Sequence, residues 1–134
     1  MTTPSDDVPT LVLEDVCRIH QDGPTTITAL DHVNLTVMPG ELVAVMGPSG
    51  SLLNIAGTLD TPTSGRVFIA GNDSGYLPPT ARATIRRAHV GFVFQDFNLI
   101  PTLTVLENVS LPLELGKMPT KEARAQGRAA LEDI

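Results

Sequence analysis

A glycine-rich segment, Gly47-Pro48-Ser49-Gly50-Ser51, contains the residue types best suited to chemistry. It follows an apolar run at residues 42–46 and precedes SLLNIAGTLD, whose apolar residues recur at near-helical spacing. Backbone N–H groups at the start of a helix point toward a bound anion, so this placement suits a phosphate-binding loop. An ordinary turn from strand to helix uses the same residues, and the loop alone does not decide between the two.

The loop departs from the full phosphate-binding motif at the position of the positively charged lysine. The complete pattern is G-x-x-x-x-G-K-[ST], in which the lysine reaches the β- and γ-phosphates and the hydroxyl binds Mg²⁺. Reading from Gly47, the sequence is GPSGSLLN, so Leu52 and Leu53 stand where glycine and lysine belong. Loop amides and the hydroxyls of Ser49 and Ser51 are what remains to face a polyanion. The sequence therefore predicts weak or absent nucleotide binding.

The surrounding pattern predicts an alternation of strands and helices after a flexible arm at residues 1–9. Two antiparallel strands should meet near Asp22-Gly23-Pro24, and the apolar run before the loop should be a strand buried on both faces. The predicted strands are 10–19, 26–38, 42–46, 66–70 and 90–94, and the predicted helices are 51–60, 78–88, 104–115 and 121–134. Arg86 and Arg87 are interpreted as part of a solvated helix face.

Composition limits the possible functions. The chain has 134 residues, which suggests one domain, and its formal net charge of -6 argues against non-specific binding to nucleic acid. Cys17 is the single cysteine and is interpreted as a buried strand residue in a reducing compartment. The polar opening is not typical of a signal peptide, and the apolar runs are shorter than a membrane span, so we expect a cytoplasmic protein attached to a membrane through a partner.

Three stretches, VAVMGPSG, LLNIAGTLDTPTSGRV and VGFVFQDFNLIPTLTVLENVSLPL, resemble the ATP-binding subunits of ABC transporters, especially the lipoprotein-release and macrolide-export branch. The resemblance extends from Leu11 to Ile134. It implies an α/β fold, an incomplete P-loop NTPase of the ABC type over residues 10–134, with an N-terminal antiparallel β subdomain and the start of the helical subdomain.

The family loop reads GPSGSGKSTLLN, so Gly-Lys-Ser-Thr is absent here between Ser51 and Leu52. Four residues are close to one helical turn, and their loss would rotate the following apolar face by about 40° and shorten the helix by ~6 Å. We therefore expect the unit to fold although phosphate binding suffers.

The resemblance also implies roles for two residues outside the loop. Gln95 matches the glutamine that approaches Mg²⁺ and the attacking water, and residues 96–101 match the loop that receives a short helix from the membrane partner. His20 matches the position of an aromatic residue that stacks on adenine. Without the family motif, Gln95 is interpreted as a polar residue at the end of a strand, and His20 as an ordinary surface or core residue.

By resemblance the function is that of an ATP-binding subunit using ATP and Mg²⁺, paired with a second ATP-binding subunit and a membrane permease subunit at the inner face of the plasma membrane. The signature sequence, the Asp-Glu pair after an apolar strand and the Walker A lysine do not occur, which predicts that this chain alone does not hydrolyse ATP. Two alternatives stay open: a non-enzymatic module that docks on a permease through the loop around Gln95, and the remnant of a pseudogene.

Overall fold

The computed structural model describes residues 8–47 and 50–134. The chain divides into two compact units, Met1–Gly91 and Phe92–Ile134. The predicted arm at residues 1–9 falls almost entirely outside the described residues. The elements of the first unit are β1 (Leu11–Asp22), β2 (Thr25–Val37), α1 (Ser51–Ala56), β3 (Ser64–Ile69), β4 (Asn72–Asp73) and α2 (Pro79–His89), and those of the second are α3 (Val105–Leu115) and α4 (Thr120–Glu132).

The strands of the first unit form one antiparallel sheet in the order β2-β1-β3-β4. The predicted hairpin is confirmed: β1 and β2 join through Gly23, whose φ of 57° is in the left-handed region that a glycine adopts easily. Ala70 and Gly71, with φ values of 46° and 78°, make the tight turn between β3 and β4. The sheet thus matches the antiparallel β subdomain expected from the sequence.

One face of this sheet carries the core of the first unit. Leu13 and Val16 of β1 and Val67 of β3 pack with Ile55 of α1, and all four side chains are buried. Leu52 packs against the edge of the same cluster. Burial of such aliphatic side chains contributes roughly 1.5–3 kcal/mol each, so these contacts fix which face of α1 turns inward.

Gly65 of β3 lies directly beside an irregular turn of β1. A Cβ at this position would lie 2.4 Å from the carbonyl oxygen of Asp15, and the φ of Gly65 is 90°. Asp15 itself has a φ of 52° at a shift in the β1–β2 register. Only glycine permits so close an approach of two backbones.

The predicted strands at residues 42–46 and 90–94 are wrong. Neither segment has strand structure, and within the described residues neither pairs with another strand. Leu42 is 100% and Met46 95% exposed, instead of buried on both faces. An apolar, β-branched run becomes a strand only when neighbouring strands satisfy its backbone groups, and the described part of the chain supplies none.

The second unit contains two helices that pack together, and the sequence predicts both helices. The helices are separated by Gly116, the C-cap of α3, and Pro119, the N-cap of α4. Ala123 and Gly127 form the buried stripe of α4, and a Cβ on Gly127 would lie 3.4 Å from both Leu106 and Ser110. The remainder of α4 is exposed apart from the half-buried residue 131, so this helix has few core positions. Within residues 8–47 and 50–134, none of the helices has both the length and the apolar character needed to cross a bilayer.

Candidate functional site

The glycine-rich loop leads into α1, but its middle lies outside the described residues. Pro48 and Ser49 are in that gap, Gly47 is exposed, and Gly50 is the N-cap of α1 with no side-chain cap. Ser51, the first helical residue, is 9% exposed. Ser51 and Ile55 are four residues apart and share the buried face of the helix. The Ser51 side chain is therefore on the side of α1 that packs.

The sequence around the loop contains no cationic side chain. Between Arg18 and Arg66 there is neither lysine nor arginine. Arg18 Nε forms an ion pair with Asp60 Oδ2 at 2.8 Å, and Arg86 Nη1 donates to the carbonyl oxygen of Thr58 at 3.1 Å. Both arginines thus contact the segment that follows the C-terminal end of α1. The first unit contains no lysine, so its donor set offers no ammonium group for the charge of Mg²⁺-bound ATP. Weak nucleotide binding stays a prediction.

The same contacts correct the interpretation of the α2 arginines. Arg86 is half-buried, and Arg82 Nη1 donates to Thr61 Oγ1 at 2.8 Å. The sequence predicted a solvated face for Arg86 and Arg87, but Arg86 joins α2 to the segment after α1. The partner of Arg86 is 28 residues away in sequence, and no local pattern reveals such a contact.

His20 lies inside β1, which continues to Asp22, three residues beyond the predicted strand end. Its neighbour across the hairpin is Ile27, and its side chain is half-buried. The core contacts of β1 with α1 involve Val16, which is about 13 Å along the strand at ~3.3 Å per residue. The role of His20 in stacking on the adenine ring stays a prediction.

Gln95 is exposed and lies within the irregular segment between α2 and α3. It belongs to the second unit, whereas the glycine-rich loop belongs to the first, so an approach of Gln95 to a bound Mg²⁺ stays a prediction. The segment after it is apolar at its surface: Phe97 is 93% and Leu99 60% exposed. Phe92 and Phe94, which precede Gln95 in the sequence, stack on each other with ring centroids 5.3 Å apart.

Asn108 fastens the end of this segment to α3. Its Oδ1 accepts the N–H of Ile100 at 2.8 Å, and its Nδ2 donates to the carbonyl oxygens of Ile100, Leu103 and Thr104 at 3.1, 3.1 and 3.0 Å. The sequence reasoning missed this residue. An asparagine one turn into a helix after a loop is the available signal, because its amide can both donate to and accept from backbone groups.

A capping box starts α3. Thr104 Oγ1 accepts the N–H of Glu107, and the N–H of Thr104 donates to Glu107 Oε2 at 2.9 Å. The hydrogen bonds from the backbone and hydroxyl of Thr104 lower the pKa of Glu107, and Arg124 adds to this effect. The box gives the loop around Gln95 a firmly fixed C-terminal end.

A second polar cluster lies on the hairpin and was also missed. Asp15 Oδ1 and His32 Nδ1 are 2.6 Å apart, and both residues have left-handed φ values, 52° and 47°. The hydrogen bond and the charge of Asp15 raise the pKa of His32. Asn34 accepts the N–H of Asp15 at 2.9 Å, and the sulfur of Cys17 accepts the N–H of His32 at 3.3 Å.

Comparison with known families identifies the class of this protein. The family model described as ABC transporter matches residues 30–134. Since that match includes most of the chain, the protein belongs to the ABC transporter family, and the resemblance inferred from the sequence is confirmed.

Two curated relatives indicate the branch. The macrolide export ATP-binding/permease protein MacB of Brucella abortus is 43% identical over 130 residues, which is 94% of this chain and 20% of MacB. The lipoprotein-releasing system ATP-binding protein LolD of Pseudomonas fluorescens is 41% identical over 128 residues, 92% of this chain and 56% of LolD. The chain thus spans about half the length of LolD and a fifth of MacB.

Solved structures support the same fold. The chain superposes on the ATP-binding cassette MJ0796, solved as a dimer bound to ADP and Pi, with a TM-score of 0.81 and 43% identity over 91% of this chain and 56% of that one. For cbiO1 of Clostridium perfringens the TM-score is 0.72 with 26% identity, over 94% of this chain and 50% of that one. The expected ABC-type α/β fold is confirmed over part of the cassette.

Proposed function

We propose that this chain is the ATP-binding module of an ABC transporter for macrolide export or lipoprotein release, with weak affinity for nucleotide and no ATP hydrolysis of its own. The relationship to MacB, LolD and the ADP-bound cassette supports the ancestry. The observation that carries the loss of affinity is the direct passage from Ser51 to Leu52 in α1.

The packing of α1 explains why no other residue of this helix takes the place of the missing lysine and of the missing Mg²⁺-binding hydroxyl. Ile55 is fully buried and Leu52 touches the core, so the helix cannot turn to present another residue to the loop without losing these contacts. Ser51 lies on the same buried face and is a poor Mg²⁺ ligand in that position. The loop amides then act without an ammonium group against a ligand of several negative charges.

Inserting Gly-Lys-Ser-Thr between Ser51 and Leu52 tests this proposal. The insertion is expected to increase retention of a fluorescent ATP analogue at least tenfold. The same insertion with alanine in place of the lysine is the matched control, because it restores loop length without charge. Equal retention by the unmodified chain and the lysine-containing variant would contradict the proposal.

A second candidate function is docking on a membrane permease subunit through the loop around Gln95, residues 96–101. The exposure of Phe97 and Leu99 favours it, because aromatic and aliphatic side chains held on a fixed loop are typical of protein-binding surfaces. Asn108 and the capping box hold the C-terminal end of this loop, at Ile100 and Thr104. In this role the chain sits at the inner face of the membrane through its partner, and competes with complete ATP-binding subunits.

Co-purification with a permease subunit of a lipoprotein-release or macrolide-export system tests the docking function. The double variant Phe97→Ser/Leu99→Ser should lose the permease. Leu115→Ser is the matched control, because Leu115 is 65% exposed and lies at the opposite end of α3. Retention of the permease by the double variant would rule out this surface.

A further inference from the structure

Two shifts in the β1–β2 register bring the side chains of Cys17, Asp31 and His32 close together on the hairpin. The pairs Leu13–Leu35 and Val16–Val33 leave residues 14–15 of β1 opposite one residue of β2. The next pair, Arg18–Leu30, leaves Asp31 and His32 opposite Cys17 alone. In a regular strand, consecutive side chains point to opposite faces, and a bulge removes this alternation.

The result is a compact set of three different ligands. One ligand atom from each of Cys17, Asp31 and His32 lies within 4.8 Å of the others. Asp31 Oδ1 is 3.8 Å from His32 Nε2, and both side chains are exposed, whereas Cys17 is buried beneath them. This arrangement offers a buried thiol and two exposed ligands.

Asp15 fixes the orientation of the imidazole. Its Oδ1 lies 2.6 Å from His32 Nδ1 and accepts the proton on that nitrogen, which leaves the lone pair of the neutral ring on Nε2. Metal-binding histidines nearly always donate their other ring N–H to a carboxylate, a carbonyl or water. Nε2 is also the nitrogen that faces Asp31.

We propose that Cys17, Asp31 and His32 form a binding site for a divalent cation of the zinc class, with Asp15 as the positioning residue for His32. A thiolate and an imidazole select such ions over Mg²⁺ and Ca²⁺, which prefer oxygen ligands. With metal–ligand bonds of about 2.0–2.3 Å, tetrahedral ligand atoms are ~3.3–3.8 Å apart, so the widest separation closes by about 1 Å on binding.

Metal binding would join β1 to β2 where their ladder is interrupted. The thiol of Cys17 loses its proton to solvent when the metal–sulfur bond forms, and the backbone N–H of His32 continues to donate to the sulfur. Three protein ligands leave a fourth position for water or an external ligand. The proposed site does not rest on the function proposed above.

Cobalt is a suitable probe, because a thiolate–cobalt bond gives a charge-transfer absorption that oxygen and nitrogen ligands alone do not. Co²⁺ titrated into the reduced, metal-free chain should produce this band at one equivalent, and Zn²⁺ should abolish it. Cys17→Ser should remove the band. Asp31→Asn and His32→Gln should each weaken cobalt affinity at least tenfold, and Asp15→Asn should weaken it by about 10–100-fold while the band persists.

His89→Gln is the matched control, since His89 ends α2 and takes no part in the cluster. It should leave the titration unchanged. The proposal is overturned if the unmodified chain shows no band at millimolar cobalt, or if Asp31→Asn and His32→Gln bind cobalt as the unmodified chain does. Asp31 is exposed, so its variant tests the site even if a change at the buried Cys17 disturbs folding.

Discussion

Asn108 uses both ends of its side-chain amide on the backbone of Ile100, accepting the N–H at 2.8 Å and donating to the carbonyl oxygen at 3.1 Å. These two bonds hold the C-terminal part of the 95–104 segment against the first turn of α3. The loop that carries the exposed Phe97 and Leu99 is therefore positioned by a residue outside the loop itself.

Replacing Asn108 by leucine is expected to lower the free energy of unfolding by about 0.5–1.5 kcal/mol, because it removes hydrogen bonds to loop backbone groups that are mostly exposed to solvent. Urea denaturation measures this change. Asn108→Asp is the informative companion, since it keeps the acceptor for the Ile100 N–H and loses the donations. Amide exchange at Ile100 should accelerate in the leucine variant and much less in the aspartate variant; equal protection in both would show that Asn108 does not hold the loop.

The capping box makes a prediction about pH. The pKa of Glu107 is lowered in the folded chain, so the stabilisation it provides is fully present above its ordinary pKa and is lost as the pH falls through the lowered folded value. Stability measured against pH should therefore drop below about pH 4.5 more steeply for the unmodified chain than for Glu107→Gln. Parallel pH profiles of the two proteins would contradict the assignment.

Gly65→Ala should be among the most destabilising single changes in the sheet. The new Cβ would lie 2.4 Å from the backbone of Asp15, and alanine at a φ of 90° is strained as well, so we expect a loss of more than about 3 kcal/mol. Gly23→Ala is the control, because Gly23 also has a positive φ but nothing lies within 4 Å of the added atom. Its cost should be about 1–2 kcal/mol, and equal costs at the two sites would show that the contact with Asp15 is not important.

The exposed apolar run before the glycine-rich loop predicts self-association. Unpaired, extended apolar segments readily form strands with other chains, and Leu42 and Met46 are almost entirely exposed. The chain should form soluble aggregates in size-exclusion chromatography, and Leu42→Glu/Met46→Glu should reduce them without loss of core packing. A sharp, cooperative melt of a monomeric unmodified chain would be the opposite result.

Local patterns in the sequence predict the hairpin with its glycine turn and the four helices found within residues 8–47 and 50–134. These elements depend on periodicity and breaker residues close at hand, such as Gly23 in the first turn and Pro119 before α4. The prediction of strands at residues 42–46 and 90–94 is wrong because a strand depends on residues distant in the sequence. An apolar run indicates only that a segment can join a sheet, whereas its strand state depends on partners elsewhere.

The polar clusters could not be predicted for a related reason. Asp15 and His32 meet because two non-glycine residues adopt left-handed backbone conformations at opposing bulges, and no residue in either strand indicates such a shift of register. Similarly, the contact between Arg86 and Thr58 joins elements that are brought together by the core. The composition of the phosphate loop, by contrast, is visible in the sequence itself.

The most direct test of the account is isothermal titration calorimetry of Mg²⁺-ATP into the unmodified chain, beside the variant with Gly-Lys-Ser-Thr inserted after Ser51. Because the loop lacks an ammonium group and Ser51 faces the core, the unmodified chain should give no saturable heat at micromolar ATP, whereas the inserted variant should bind. Tight, magnesium-dependent binding by the unmodified chain would contradict the central claim that this loop no longer holds a triphosphate.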